Sequence, residues 1–298
     1  MKLINKRKTM FTSVTITLST LLFTGVAQAA LTAVDIDGNA SNGHEGVYDD
    51  VLDITWLANA NIAASNQFGL TSGISMGGPF IGSMNWSTAE AFVSAMNAQN
   101  GGDGYLGVNT WRRPTATPVN GTNFVLGSAT YDGSTDKGSN VTAPPGVYNP
   151  TPGPNTLGFI GSELAYHYYN NFEAIPECSG TGTTCVKYNL NLYGIHRAPD
   201  PNNYVSLFEN IQSEYVGNAY WTDVPADNNE AIRFSSFWGS QGLDDVDDFH
   251  HLWVVAPGNV AASAVPLPAA AWLFGAALTG LITLRQHSRK YRSIARYH

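Results

Sequence analysis

The sequence predicts an α+β body of short strands, few helices and long loops, set between an N-terminal signal peptide and a C-terminal transmembrane helix. Three observations lead there. Residues 31–258 are rich in glycine and aromatic side chains, poor in charge, and hold six of the seven tryptophans, a composition that favours strands and long turns over a helical bundle. One stretch, Met84–Asn97, repeats its apolar residues at helical spacing. Each end of the chain carries a long uncharged run with basic residues beside it.

At the N-terminus, Lys2, Lys6, Arg7 and Lys8 precede an uncharged run from Met10 to Val26, and Ala27-Gln28-Ala29 puts small residues at the two positions a signal peptidase reads. Residues 1–29 are therefore expected to engage the secretion machinery and to be cut after Ala29. Serines and threonines dilute the apolar run, so a retained N-terminal anchor is the lesser alternative. At the other end, Ala269–Leu284 holds no charge and would span roughly 24 Å as a helix, a little less than a bilayer core. All five charges that follow, Arg285, Arg289, Lys290, Arg292 and Arg296, are basic. An apolar terminal segment with cations beyond it is the pattern of a membrane anchor whose tail stays in the cytoplasm.

With both ends set aside, the body keeps six basic residues against all 23 acids, a net charge of −17. Such a surface repels phosphate backbones, which excludes nucleic acid as a partner.

Within the body, Leu31–Asp35 reads as a first strand and 37–43 as a turn. Asp35, Asp37 and Asn39 stand two apart, like calcium-loop ligands, yet glycine occupies the fourth position and Gly46 the twelfth. An Asx-rich turn is the expectation. Val47–Leu57 alternates as one half-buried strand with Trp56 inward. In the helix at 84–97, Trp86, Ala89, Phe92, Val93 and Met96 share a face, and Ser87 with Glu90 has capping-box spacing. Residues 116–160 show almost no periodicity and are expected to be a long surface insertion. Ile232, Phe234 and Phe237-Trp238 around Arg233 give strand signals.

Cys178 and Cys185 bracket a Ser-Gly-Thr-Gly-Thr-Thr loop, and in an exported body they are expected to form a disulfide, a free thiol pair being the alternative. Asp244, Asp245, Asp247 and Asp248, beside His250-His251, are candidate oxygen ligands for Ca2+, set against the commoner fate of an acidic turn as a solvated face. No other cofactor is implied. There is no nucleophile elbow and no His-Glu-x-x-His helix. Glu163 and His167 stand one helical turn apart, a spacing usual for surface pairs. The chain therefore reads as a binding module and not an enzyme, with a secreted carbohydrate-active hydrolase as the alternative. Trp221, Trp238 and Tyr204 could stack on sugar rings, with Arg112 as a hydrogen-bonding partner.

Two family resemblances extend this reading. Val265-Pro266-Leu267-Pro268-Ala269, then Ala270-Ala271-Trp272-Leu273-Phe274-Gly275 and the basic cluster, resembles the PEP-CTERM sorting signals in their VPLPA-CTERM variant. The resemblance implies an exosortase as processing partner, a Gram-negative host that makes exopolysaccharide, and delivery to the cell surface or biofilm matrix. The order Tyr48-Asp49-Asp50, Leu52-Asp53, Thr55-Trp56-Leu57, then Asn85-Trp86 with Ala89, then Gly104-Tyr105, Trp111-Arg112 and Pro114-Thr115, is similar to the Lcl C-terminal-like (DUF1566) domain. The helix 162–172, the strand from Tyr220 to Asp223 and the closing Leu252–Gly258 continue it. Arg113 stands where that family has an apolar residue, and Val255-Ala256 where it commonly has Val-Arg. This resemblance implies a C-type-lectin-like mixed sheet with two helices and an association with glycan binding and adhesion. The resulting division is 1–29 signal peptide, 30–258 extracytoplasmic domain, 259–264 linker, 265–290 sorting signal with its transmembrane helix, and 291–298 cytoplasmic tail.

Overall fold

A computed structural model describes residues 30–141, 162–189 and 192–261. The signal peptide with Ala27 and Ala29, and the sorting signal with Val265, Pro266, Leu267, Pro268, Arg285, Arg289 and Lys290, lie outside the described residues. Among the described residues no helix is long and apolar enough to cross a membrane.

The body is α+β. Its strands are β1 (Leu31–Val34), β2 (Gly46–Asp49), β3 (Ile54–Leu57), β4 (Gly138–Ser139), β5 (Cys178–Ser179), β6 (Val186–Lys187), β7 (Ala219–Pro225), β8 (Glu230–Ser235), β9 (Ser240–Asp245) and β10 (Val255–Pro257), and its α-helices are α1 (Trp86–Asn97) and α2 (Glu163–Tyr166). They form two four-stranded antiparallel sheets, ordered β1-β2-β3-β10 and β4-β9-β8-β7, and a small β5-β6 ladder.

The single strand expected over 47–57 is a hairpin. Asp49 turns the chain: its Oδ1 accepts from the backbone N–H groups of Val51 and Leu52, and Asp53 takes a left-handed φ of 51°. Trp56 then pairs with Val47 in the antiparallel register. The helix cap also differs from expectation. Asn85, extended just before α1, accepts the Thr88 N–H at 2.9 Å, and Ser87 donates to Asn85 instead of capping.

The closing segment 252–256 is buried on both sides. Trp253 and Val255 join Trp56, Tyr168, Phe172, Phe208 and Tyr220 in one core cluster; Leu252, Val254 and Ala256 face Phe68, Phe92, Met96, Trp111 and Trp221 in another. A strand covered on both faces has to be apolar throughout, which explains the unbroken Leu-Trp-Val-Val-Ala run. It also joins the sheets. Val255 pairs with Trp56 of β3, while His251 bridges Tyr220 of β7.

Part of the expected insertion belongs to the body. Residues 116–141 bury Val119 and Val141 and contribute β4 to the second sheet. Asp136 anchors them, its two oxygens accepting the N–H groups of Val119 and Val125 at 2.7 Å each. Periodicity is silent there because backbone-to-carboxylate bonds, not a regular element, hold the chain. The remainder, 142–161, lies outside the described residues.

Candidate functional site

A polar and aromatic groove lies on the outer face of the second sheet. In β8, Ile232 and Phe234 point into the core and Arg233 points out. Opposite Arg233 in β9 stands Gly242, and a Cβ there would come within 3.1 Å of the guanidinium carbon. The missing side chain lets Arg233 lie across the sheet. Its Nε donates to Asp244 Oδ2 at 2.9 Å, and the same oxygen meets His250 Nε2 at 2.8 Å. Burial pushes the Asp244 carboxyl up, but the hydrogen bond to His250 and the charge of Arg233 outweigh it and hold the group below the usual carboxylate range. His250 is fixed in turn by two backbone hydrogen bonds with Met84 and by its edge contact with Trp221 at 4.4 Å.

Trp238 forms the wall. It sits in the β8–β9 turn, where Gly239 has a φ of +61° and would collide with Tyr168 if it carried a Cβ. The Trp238 N–H donates to Ser235 Oγ, its carbonyl accepts from Glu177, and its half-buried ring is flanked by Tyr215 at 5.4 Å. On one side of Trp238 and Arg233 is a cavity of about 170 Å³ that also touches Phe80, Asn218, Asp244 and His250. On the other is one of about 210 Å³ lined by Tyr131, Lys137, Glu177 and Gln241. Phe80 and Phe249, exposed by 42% and 43%, rim the first cavity and an open bowl of about 540 Å³ beside it. Exposed aromatic rings beside fixed planar hydrogen-bonding groups can hold a polyhydroxylated ring by face stacking and hydroxyl bonding.

The residues singled out from sequence have different fates. Trp238 and Asp244 meet in the groove. Trp221 is fully buried and its indole N–H donates to Met84 O, so as a ligand-stacking residue it is corrected to core. Its outward position in β7 is covered by the 84 and 250 segments. Tyr204 is half-buried in a short 3-10 turn and packs against the aromatic core. Arg112 is a structural clamp: it makes two parallel bonds to Glu163 of α2 at 2.7 and 2.8 Å, while Thr115 N–H donates to the same carboxylate. The surface pair expected between Glu163 and His167 is absent because both are buried. His167 instead stacks on Trp56, with centroids 4.4 Å apart. Arg113 lies over the Trp86 ring at 3.9 Å, which explains how a cation fits an apolar position. Cys178 and Cys185 are disulfide-bonded, with Cα atoms 5.1 Å apart.

The acidic run does not converge. Asp244 serves the groove, Asp245 accepts from Asn229 and from the Asp247 N–H, and Asp247 and Asp248 face solvent. Among the described residues the carboxylates that do converge are Asp35, Asp37 and Glu45, whose oxygens lie within 4.8 Å of one another. All three already accept backbone N–H groups, as in the Asx turn the sequence suggested.

Lys137, Arg233, His250, Phe80 and Phe249 were not singled out as ligand residues. Nothing local marks them; only the register that sets Arg233 against Gly242 could have hinted at a floor for a site. Compared with models of known protein families, with curated proteins and with solved structures, the chain has no significant match. Both family resemblances therefore stand on the residues quoted for them.

Proposed function

We propose that this chain is an exported cell-surface or matrix protein whose body binds polysaccharide in the groove beside Trp238. The observation that carries the proposal is a half-buried tryptophan standing between two sugar-sized cavities, with Arg233, Asp244 and His250 locked together on the floor. Sugar rings present a C–H face to an indole and hydroxyls to charged planar groups, and this arrangement supplies both. Export is supported by the two terminal patterns and by the Cys178–Cys185 bond, a linkage that persists in oxidising compartments. On this reading the C-terminal segment anchors the chain until an exosortase cuts near Val265–Ala269, and the body follows a C-type-lectin-like plan. No metal or cofactor is needed for such binding.

The full-length gene product, recovered from the medium or surface of its producing cells, should bind one or more polysaccharides on a glycan array that includes those cells' own exopolysaccharide. Trp238→Ala should weaken that binding at least tenfold, about 1.4 kcal/mol, with the protein still folded by circular dichroism. Wild-type protein that binds no glycan, or a Trp238→Ala variant that binds equally well, defeats the proposal. Cleavage of a bound oligosaccharide would instead favour a hydrolase.

A further inference from the structure

We propose that the cavity of about 210 Å³ between Trp238 and β4 is a subsite for an acidic sugar residue, its carboxylate held by Lys137 and Arg233. This rests on the saccharide reading of the groove and adds the charge class of the ligand.

The body has only six lysines and arginines against 23 acids, so its surface repels anions almost everywhere. Five of the six already have a partner. Arg112 pairs with Glu163 and Lys187 with Glu177; Arg113 lies over Trp86 and Arg197 over Phe237, at 3.9 and 5.5 Å. The fifth, Arg233, pairs with Asp244 at 2.9 Å, and it lines the same cavity as the sixth, Lys137. Among the described residues the Lys137 ammonium has neither an ion-pair nor a hydrogen-bond partner. Arg233 commits its Nε to Asp244 and turns Nη1 toward Ser240 O at 3.5 Å, which leaves its Nη2 for a ligand. The one acid in the lining, Glu177, is already neutralised by Lys187 at 2.8 Å.

An anion entering here meets one unpaired cation, Lys137, the Nη2 edge of an Arg233 whose charge Asp244 already balances, and one spent carboxylate. In the adjoining cavity of about 170 Å³, Arg233 and His250 both face Asp244, so that subsite suits an uncharged residue. Because Trp238 and Arg233 line both cavities, adjacent units of one extended chain could occupy them together. The structure thus favours a polymer in which a carboxylated sugar is linked to another ring.

The full-length protein titrated with tetramers of a uronate polymer, alginate or polygalacturonate, and with a neutral β-glucan tetramer tests this. At low salt a uronate tetramer should bind at least tenfold more tightly than the neutral one, and the advantage should shrink when ionic strength is raised to about 0.5 M. Lys137→Met should abolish the preference with the melting temperature unchanged, and Lys137→Arg should restore it. Equal affinity for acidic and neutral tetramers, or a preference that survives Lys137→Met, overturns the subsite while the saccharide reading stands. Failure of the wild type to bind any of them, together with a blank glycan array, overturns both.

Discussion

Two buried histidines should make this protein sensitive to mild acid. His251 is fully buried, with Nε2 at 3.2 Å from Ile81 O and Nδ1 without a partner. Protonation would add a charged N–H with nothing to receive it. Burial, set against a smaller opposing contribution from the Ile81 carbonyl, lowers its pKa from 6.5 to about 4. His167, stacked on Trp56, is likewise held well below its ordinary value by burial alone. With a depressed pKa in the folded state, the unfolded chain takes up the proton first. Each histidine therefore leaves stability untouched above pH 6.5 and subtracts from it as pH falls toward the folded value.

At about 1.4 kcal/mol per pH unit and group, His251 alone accounts for about 3 kcal/mol between pH 6.5 and 4, and the two together give a slope near 2.7 kcal/mol per pH unit. Burial raises Asp49, Asp136 and Asp223 above the ordinary carboxylate value, and such groups favour the fold as pH drops through the acid end of this window. The slope is therefore best read between about pH 6.5 and 5. Urea titrations at closely spaced pH values measure it, and His251→Gln should remove about half. A stability that stays flat across that interval, or a slope that His251→Gln does not change, refutes the argument.

Removing the guanidinium with Arg112→Met strands the Glu163 carboxylate, whose side chain is only 8% exposed. The expected loss is about 3 kcal/mol, at the low end for a broken buried pair because the Thr115 N–H still serves the carboxylate and Arg112 is partly solvated. A denaturant midpoint equal to wild type contradicts it. Opening the Cys178–Cys185 loop, with its separation of 7 residues, by a double serine substitution should cost about 2 kcal/mol on the loop-closure relation. It should also loosen the wall that Cys178 and Glu177 lend to the Lys137 cavity, so uronate affinity should fall in the same variant, as calorimetry would show.

Parts of this architecture were legible from local pattern. The helix at 86–97 was, because five apolar residues on one face leave no other way to bury them. The hairpin at 46–57 was not: an alternating pattern runs straight through it, and the reversal depends on the Asp49 carboxylate turning back on its own backbone. The packing of 116–141 was hidden for the same kind of reason, since Asp136 does the work that periodicity does elsewhere.

What the chain's order of residues determined by itself was composition-level and local: an acidic, aromatic-rich α+β body, a disulfide-sized loop and the main helix. Which tryptophan could meet a ligand was decided only in three dimensions. Trp221 and Trp238 look alike in sequence, but the 84 and 250 segments close over one and a glycine turn lifts the other beside Arg233. Exposure is a property of what packs on top, and Lys137, Arg233 and His250, far apart along the chain, become neighbours of one groove only through strand register and sheet order.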